Sequence, residues 1–133
     1  MITLTKEMET GVEKIDNQHR ELIERINDLL SMGTKSISKE ETEKTLVILG
    51  DYIVKHFNDE EAMQKQSGYP EYDSHKELHQ IYFAEFHRLE KEFIENGPSM
   101  KFTLDVNNSI IGWIVRHIKT ADCEFGKYYN SNK

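Results

Sequence analysis

A chain of 133 residues, 37% of them apolar, with a formal net charge of −7, is sized for one domain around one core. It has no basic stripe to meet nucleic acid, and its longest mostly apolar stretch, Ile110 to Val115, is far too short to span a bilayer. Neither nucleic acid nor membrane is expected as a partner. The first residues show no charged segment followed by an apolar one, so no secretory signal is expected. One cysteine, Cys123, makes an intrachain disulfide impossible, which fits a reducing cytoplasm.

Residues 1–15 have no sustained period. They read as an extended arm with a turn near Thr10-Gly11, pinned to the core by Val12 and Ile15. A first helix is expected over about 17–33, with Asp16 as its N-cap and Leu22, Ile23, Ile26, Leu29 and Leu30 on its apolar stripe. His19 falls three residues before Leu22 and shares that stripe. The helix should end near Gly33.

Ser38-Lys-Glu-Glu41 is a capping-box pattern and opens a second helix, about 39–66. Its stripe is Leu46, Leu49, Ile53, His56, Phe57, Glu60 and Met63. Gly50 interrupts it at a cost of about 1 kcal/mol relative to alanine. Glu60 on an apolar stripe needs a partner or a metal.

Pro70 suits the start of a third helix, about 71–95. Its stripe runs His75, Leu78, His79, Tyr82, Phe83, Phe86, Leu89, Phe93, and Gly97-Pro98 ends it. Ser99 caps a fourth helix, about 100–119, with Phe102, Val106, Ile110, Trp113, Ile114 and His117 on one side. The remainder continues as helix through Phe125 before fraying.

Four amphipathic helices with short links predict an all-α, antiparallel up-down-up-down four-helix bundle. In that topology the starts of odd helices meet the ends of even ones. His19, the His56/Glu60 pair, the His75/His79 pair and His117 then converge on one level. Residues four apart share a helix face, so each pair forms a two-toothed clamp. One buried histidine is ordinarily a hydrogen-bonded core residue. Five of the six histidines at one level, with a buried glutamate, leave too many polar groups for an apolar core, and metal coordination satisfies them.

Asp122 follows His117 by five residues, about 140° off its face on a regular helix. A loosened helix, a π-type turn or a lateral approach as a bridge would each bring it in; the ordinary alternative is a solvent-facing aspartate. His87 lies off the stripe and reads as a surface histidine. Cys123 reads as an inert, partly buried thiol. Five imidazoles and one or two carboxylates exceed one ion. Without thiolate, the set suits iron, zinc, copper, nickel or manganese.

The chain resembles the hemerythrins, specifically the single-domain bacterial form. The matching segments are Gly11-Val-Glu-Lys-Ile-Asp-Asn-Gln-His19, His56-Phe-Asn-Asp-Glu60, His75-Lys-Glu-Leu-His79 and His117-Ile-Lys-Thr-Ala-Asp122, and they span most of the chain. One departure is Leu4, where many bacterial relatives carry tryptophan. The resemblance implies two iron ions in an oxo- or hydroxo-bridged centre. His75, His79 and His117 would ligate one, His19 and His56 the other, and Glu60 and Asp122 would bridge them. The two-histidine iron keeps an open position for dioxygen. Phe57, Trp113 and Ile114 would then line an apolar pocket offering no acid to expel the bound ligand.

The implied function is reversible dioxygen binding, for storage, delivery or scavenging, by a monomer without enzymatic turnover. The alternative is a sensor of oxygen, nitric oxide or redox state at the same site; a fused signalling domain is not expected within these 133 residues unless they are part of a longer chain. Oxygen-activating di-iron enzymes are richer in carboxylate and use Glu-x-x-His pairs, unlike this histidine-rich set.

Overall fold

The computed structural model describes residues 2–32 and 39–132. Three long helices come first: α1 (Glu13–Met32), α2 (Lys39–Gln66) and α3 (Tyr72–Asn96). A fourth helical rod, α4, spans residues 100–131 and stays in right-handed helical backbone throughout. The rods form the antiparallel four-helix bundle the periodicity predicts. Among the described residues, no helix is long and apolar enough to cross a membrane. The expected end at Gly33 and the Ser38 cap lie outside the described residues.

The arm is extended apart from one 3-10 turn at Lys6–Met8. Helix α1 begins at Glu13, three residues before the expected cap. Asp16 does not cap its own helix. Its carboxylate accepts from the Thr10 amide (2.8 Å), the Thr10 hydroxyl (2.8 Å) and the Gly11 amide (3.2 Å). The chain turns so tightly into α1 that orphan donors of the arm lie closer to the carboxylate than the helix's own first amides. Ser99 caps α4 as expected, accepting from the Phe102 amide at 3.0 Å, and Gly97 ends α3 with a φ of +73°.

The main core gathers Leu22, Ile23, Ile26, Leu46, Leu49, Ile53, Tyr82, Phe86, Leu89, Phe93 and the inner face of α4. A smaller cluster of Val12, Ile15, Tyr69 and Phe125 closes the end of the bundle where α1 begins. The predicted stripes hold, with Leu78 displaced to 38% exposed. It stands one residue, about 100°, from the His79 face. Gly50 is no mere interruption: a Cβ there would lie 2.9 Å from Cε1 of the buried Phe86 ring.

Helix α4 carries two π-turns, Val106–Ile111 and Ile118–Asp122. Its buried residues explain them. Phe102, Val106, Ile110, Ile114, Ile118, Asp122 and Gly126 are all buried and spaced by four. On a regular helix such a row drifts about 40° per step. Each π-turn adds one residue to a turn and takes back about 100° of that drift, which keeps the row facing inward for the whole length.

Candidate metal centre

Each helix delivers its share of polar side chains to one level between the two apolar clusters. His19 comes from α1, His56 and Glu60 from α2, His75 and His79 from α3, His117 and Asp122 from α4. All seven are buried, none more than 5% exposed. Asp122 reaches the site through the second π-turn of α4, one of the routes the sequence left open. The i→i+5 bonding of that turn brings Asp122 onto the His117 face.

The ligand atoms fall into two overlapping groups. Glu60, His75, His79, His117 and Asp122 offer atoms all within 4.8 Å of one another, and so do His19, His56, Glu60 and Asp122. The carboxylates belong to both. Glu60 Oε1 lies 2.8 Å from His75 Nε2 and 3.1 Å from His79 Nε2. Asp122 Oδ1 lies 3.0 Å from Nε2 of both His75 and His117. The other oxygen, Asp122 Oδ2, lies 3.0 Å from His19 Nε2. Asp122 thus splits its two oxygens between the histidine groups.

The charges show how dense the cluster is. Burial would raise the Asp122 carboxyl, but the charge of His117 and the close approach of the His117, His19 and His75 rings hold it well below the usual carboxylate range. Burial and Asp122 push Glu60 up, and His75 and His79 pull it below normal. Burial lowers His75, yet hydrogen bonds to Asp122 and Glu60 raise it to about 10. Burial, reinforced by His19, lowers His56 to about 4.

Two outer contacts went unread in the sequence. His56 Nδ1 lies 2.8 Å from Gln18 Oε1, and Gln18 Nε2 lies 2.8 Å from Asp59 Oδ2. Only the amide nitrogen can face the Asp59 carboxylate, so Gln18 presents oxygen to His56, and the His56 proton sits on Nδ1. His79 Nδ1 donates to Glu61 Oε2 at 2.8 Å with the same consequence. In both rings the Nε2 lone pair is left to point inward, the tautomer a metal needs. Gln18 and Glu61 each adjoin a ligand candidate in sequence, but no periodicity marks them.

Aromatic rings wall the site. Phe57 stacks on His79 with centroids 3.8 Å apart, and Trp113 stacks on His117 at 4.4 Å. Both rings therefore lie against the group of His75, His79 and His117. Phe57 also sits 5.9 Å from the His56 ring, and Ile114 is fully buried in the core. His87 is a surface residue, its side chain 69% exposed and 3.4 Å from Glu90. The Cys123 thiol faces the Glu7 and Glu9 carbonyls at 3.7 and 3.6 Å and ties the arm to α4.

The donor set fits bound metal. His19 Nε2, Glu60 Oε2 and both Asp122 oxygens are buried without well-formed hydrogen bonds. His79 Nε2 and His117 Nε2 stand 3.2 Å apart. Buried polar atoms left without partners in a dry core are costly unless a cation binds them. Residues 10–128 match the family model described as the Hemerythrin HHE cation binding domain.

The chain belongs to the hemerythrin family.

That family's description is one of cation binding. The chain is 28% identical to the bacteriohemerythrin of Methylococcus capsulatus, over 90% of this chain and 89% of that one. It is 33% identical to the myohemerythrin of Theromyzon tessulatum, over 88% and 84%. A crystal structure of wild-type hemerythrin superposes with a TM-score of 0.76 at 28% identity, covering 89% of this chain and 88% of that chain.

Proposed function

We propose that the chain binds dioxygen reversibly at a pair of non-haem iron ions. His75, His79 and His117 would hold one ion, His19 and His56 the other, with Glu60 and Asp122 shared. The observation that carries this reading is the division of five histidines into three and two around common carboxylates. A three-histidine ion is nearly enclosed by its ligands, and a two-histidine ion keeps room for an exogenous one. When bound, an iron pair supplies two electrons that dioxygen can take up and give back.

The chain's own residues account for the rest. Glu60 and Asp122 bring two negative charges into a dry site and offset the charge of the ions. Gln18 and Glu61 hold two imidazoles in the metal-binding tautomer. Phe57, Trp113 and Ile114 exclude water and offer no proton. The net charge of −7 and the single thiol support a cytoplasmic monomer.

The test is optical. The iron-loaded protein is reduced without air, exposed to oxygen, then stripped of oxygen, and the spectrum is followed through several cycles. A carrier returns to its starting spectrum each time. Irreversible oxidation after one exposure would favour a sensor, and a colourless zinc protein would sink the iron reading.

A further inference from the structure

Gln64 is fully buried, and neither its Oε1 nor its Nε2 has a hydrogen-bond partner. Among the described residues it is the only buried side-chain amide left so. A buried amide without partners is costly, and nothing in the protein's own packing explains keeping one. Its position does. Gln64 stands one turn after Glu60 on α2, and helical side chains at that spacing are neighbours leaning toward the N-terminal turn. A side chain leaning that way carries its amide toward the level of the metal centre.

A complementary vacancy in bonding lies across the bundle. His56 and His79 each give their Nδ1 proton to an acceptor, Gln18 and Glu61. His19 does not: its Nδ1 is buried and unpartnered. If His19 uses Nε2 toward a metal, Nδ1 must carry the proton and needs an acceptor. His19 and Gln64 approach from the start of α1 and the end of α2, which pack together. Ile15, one turn before His19, and Met63, beside Gln64, share one apolar cluster.

We infer that Gln64 is the positioning residue for His19, taking its Nδ1 proton through one buried water. The water accepts from Nδ1 and donates to Gln64 Oε1, the two or more polar contacts that hold a buried water in place. The Gln64 Nε2 supplies a donor on the turn of Glu60, whose Oε2 also lacks a partner. This single amide would then steady both a histidine of the two-histidine ion and a shared carboxylate. The inference rests on the two-ion reading of the site.

The experiment titrates metal-free protein with cobalt(II), reading the visible bands and bound metal, in wild type, Gln64→Met and Gln64→Glu. Wild type takes two ions. Gln64→Met binds the first as wild type does and the second roughly 10–100-fold more weakly, the usual effect of losing a ligand's outer hydrogen bond. Gln64→Glu keeps an acceptor oxygen and restores the second affinity. The urea midpoint of metal-free Gln64→Met is not lowered, because an apolar chain of similar length replaces a buried amide that makes no direct hydrogen bond to the protein. In zinc-loaded protein, the His19 Nδ1 proton exchanges slowly by NMR in wild type and fast in Gln64→Met. Two ions bound equally well by wild type and Gln64→Met overturn the inference and leave the two-ion reading standing. So does a Gln64→Glu protein as weak as Gln64→Met. Wild type that takes fewer than two ions overturns both.

Discussion

The Phe57 ring lies flat on the His79 imidazole, 3.8 Å between centroids and 2° from parallel. The same side chain also meets Tyr82 edge-on at 5.9 Å, so one residue of α2 fixes a histidine of α3 and joins the metal level to the core. Phe57→Ala empties that position and should lower the stability of the metal-free protein by about 3–5 kcal/mol. Phe57→Leu keeps most of the volume and should cost less than about 1.5 kcal/mol. Urea unfolding of the two variants measures both. Equal losses would mean that packing around Phe57 is looser than its 4% exposure implies.

Gly126 sits where α4 passes under the arm. A Cβ there would overlap the Thr10 carbonyl oxygen and crowd Thr10 Cβ at 2.9 Å. Backbone cannot yield as a side-chain tip can. Gly126→Ala should push the arm away, break the Thr10 and Gly11 bonds to Asp16, and destabilise the protein by about 1–3 kcal/mol. Hydrogen exchange at the Thr10 and Gly11 amides should accelerate, while exchange at Ile53 and Leu89 in the main core should track global unfolding alone.

An acid placed near the site tests the apolar wall. Ile114 lies three residues before His117 and is fully buried. Ile114→Glu introduces a proton donor where there was none, and the oxygenated form should decay faster to the oxidised one. An unchanged decay rate would remove Ile114 from the pocket.

Proton linkage in the metal-free protein follows from two shifted histidines. His75, raised to about 10, stabilises the fold fully below its unfolded value near 6.5, and this contribution is lost as pH rises through about 10. His56, lowered to about 4, contributes above 6.5, and its contribution is lost as pH falls through about 4. The thermal midpoint in chelator should therefore fall on both sides of roughly pH 6.5. Metal uptake at pH 7 should release the His75 proton, since a ligand nitrogen must be bare, and a pH-stat reads that release directly. A midpoint that keeps climbing to pH 10 would contradict the His75 assignment.

The bundle and six of the seven polar residues were legible because both rest on helical period, which the sequence carries openly; Asp122, about 140° off the His117 face on a regular helix, entered only through the family resemblance. The two π-turns were half legible. A row of buried residues at strict four-residue spacing, from Phe102 to Gly126, is itself the mark of a helix that must be rewound. In the sequence this shows only as the odd five-residue gap between His117 and Asp122. Asp16 misled because an aspartate before an apolar run caps its own helix unless stronger orphan donors stand nearby, and Thr10 and Gly11 became neighbours only once the arm folded back. Gln18, Glu61 and Gln64 stayed hidden for another reason. Polar residues beside a ligand look like solvent-facing ones until three-dimensional packing shows which side is dry.

Oxygen uptake by the fully reduced, iron-loaded protein tests the central claim most directly. The account predicts two irons per chain, one dioxygen taken up for each pair of irons, and its full recovery when oxygen is removed. One iron per chain, or two irons that consume dioxygen without returning it, would contradict it.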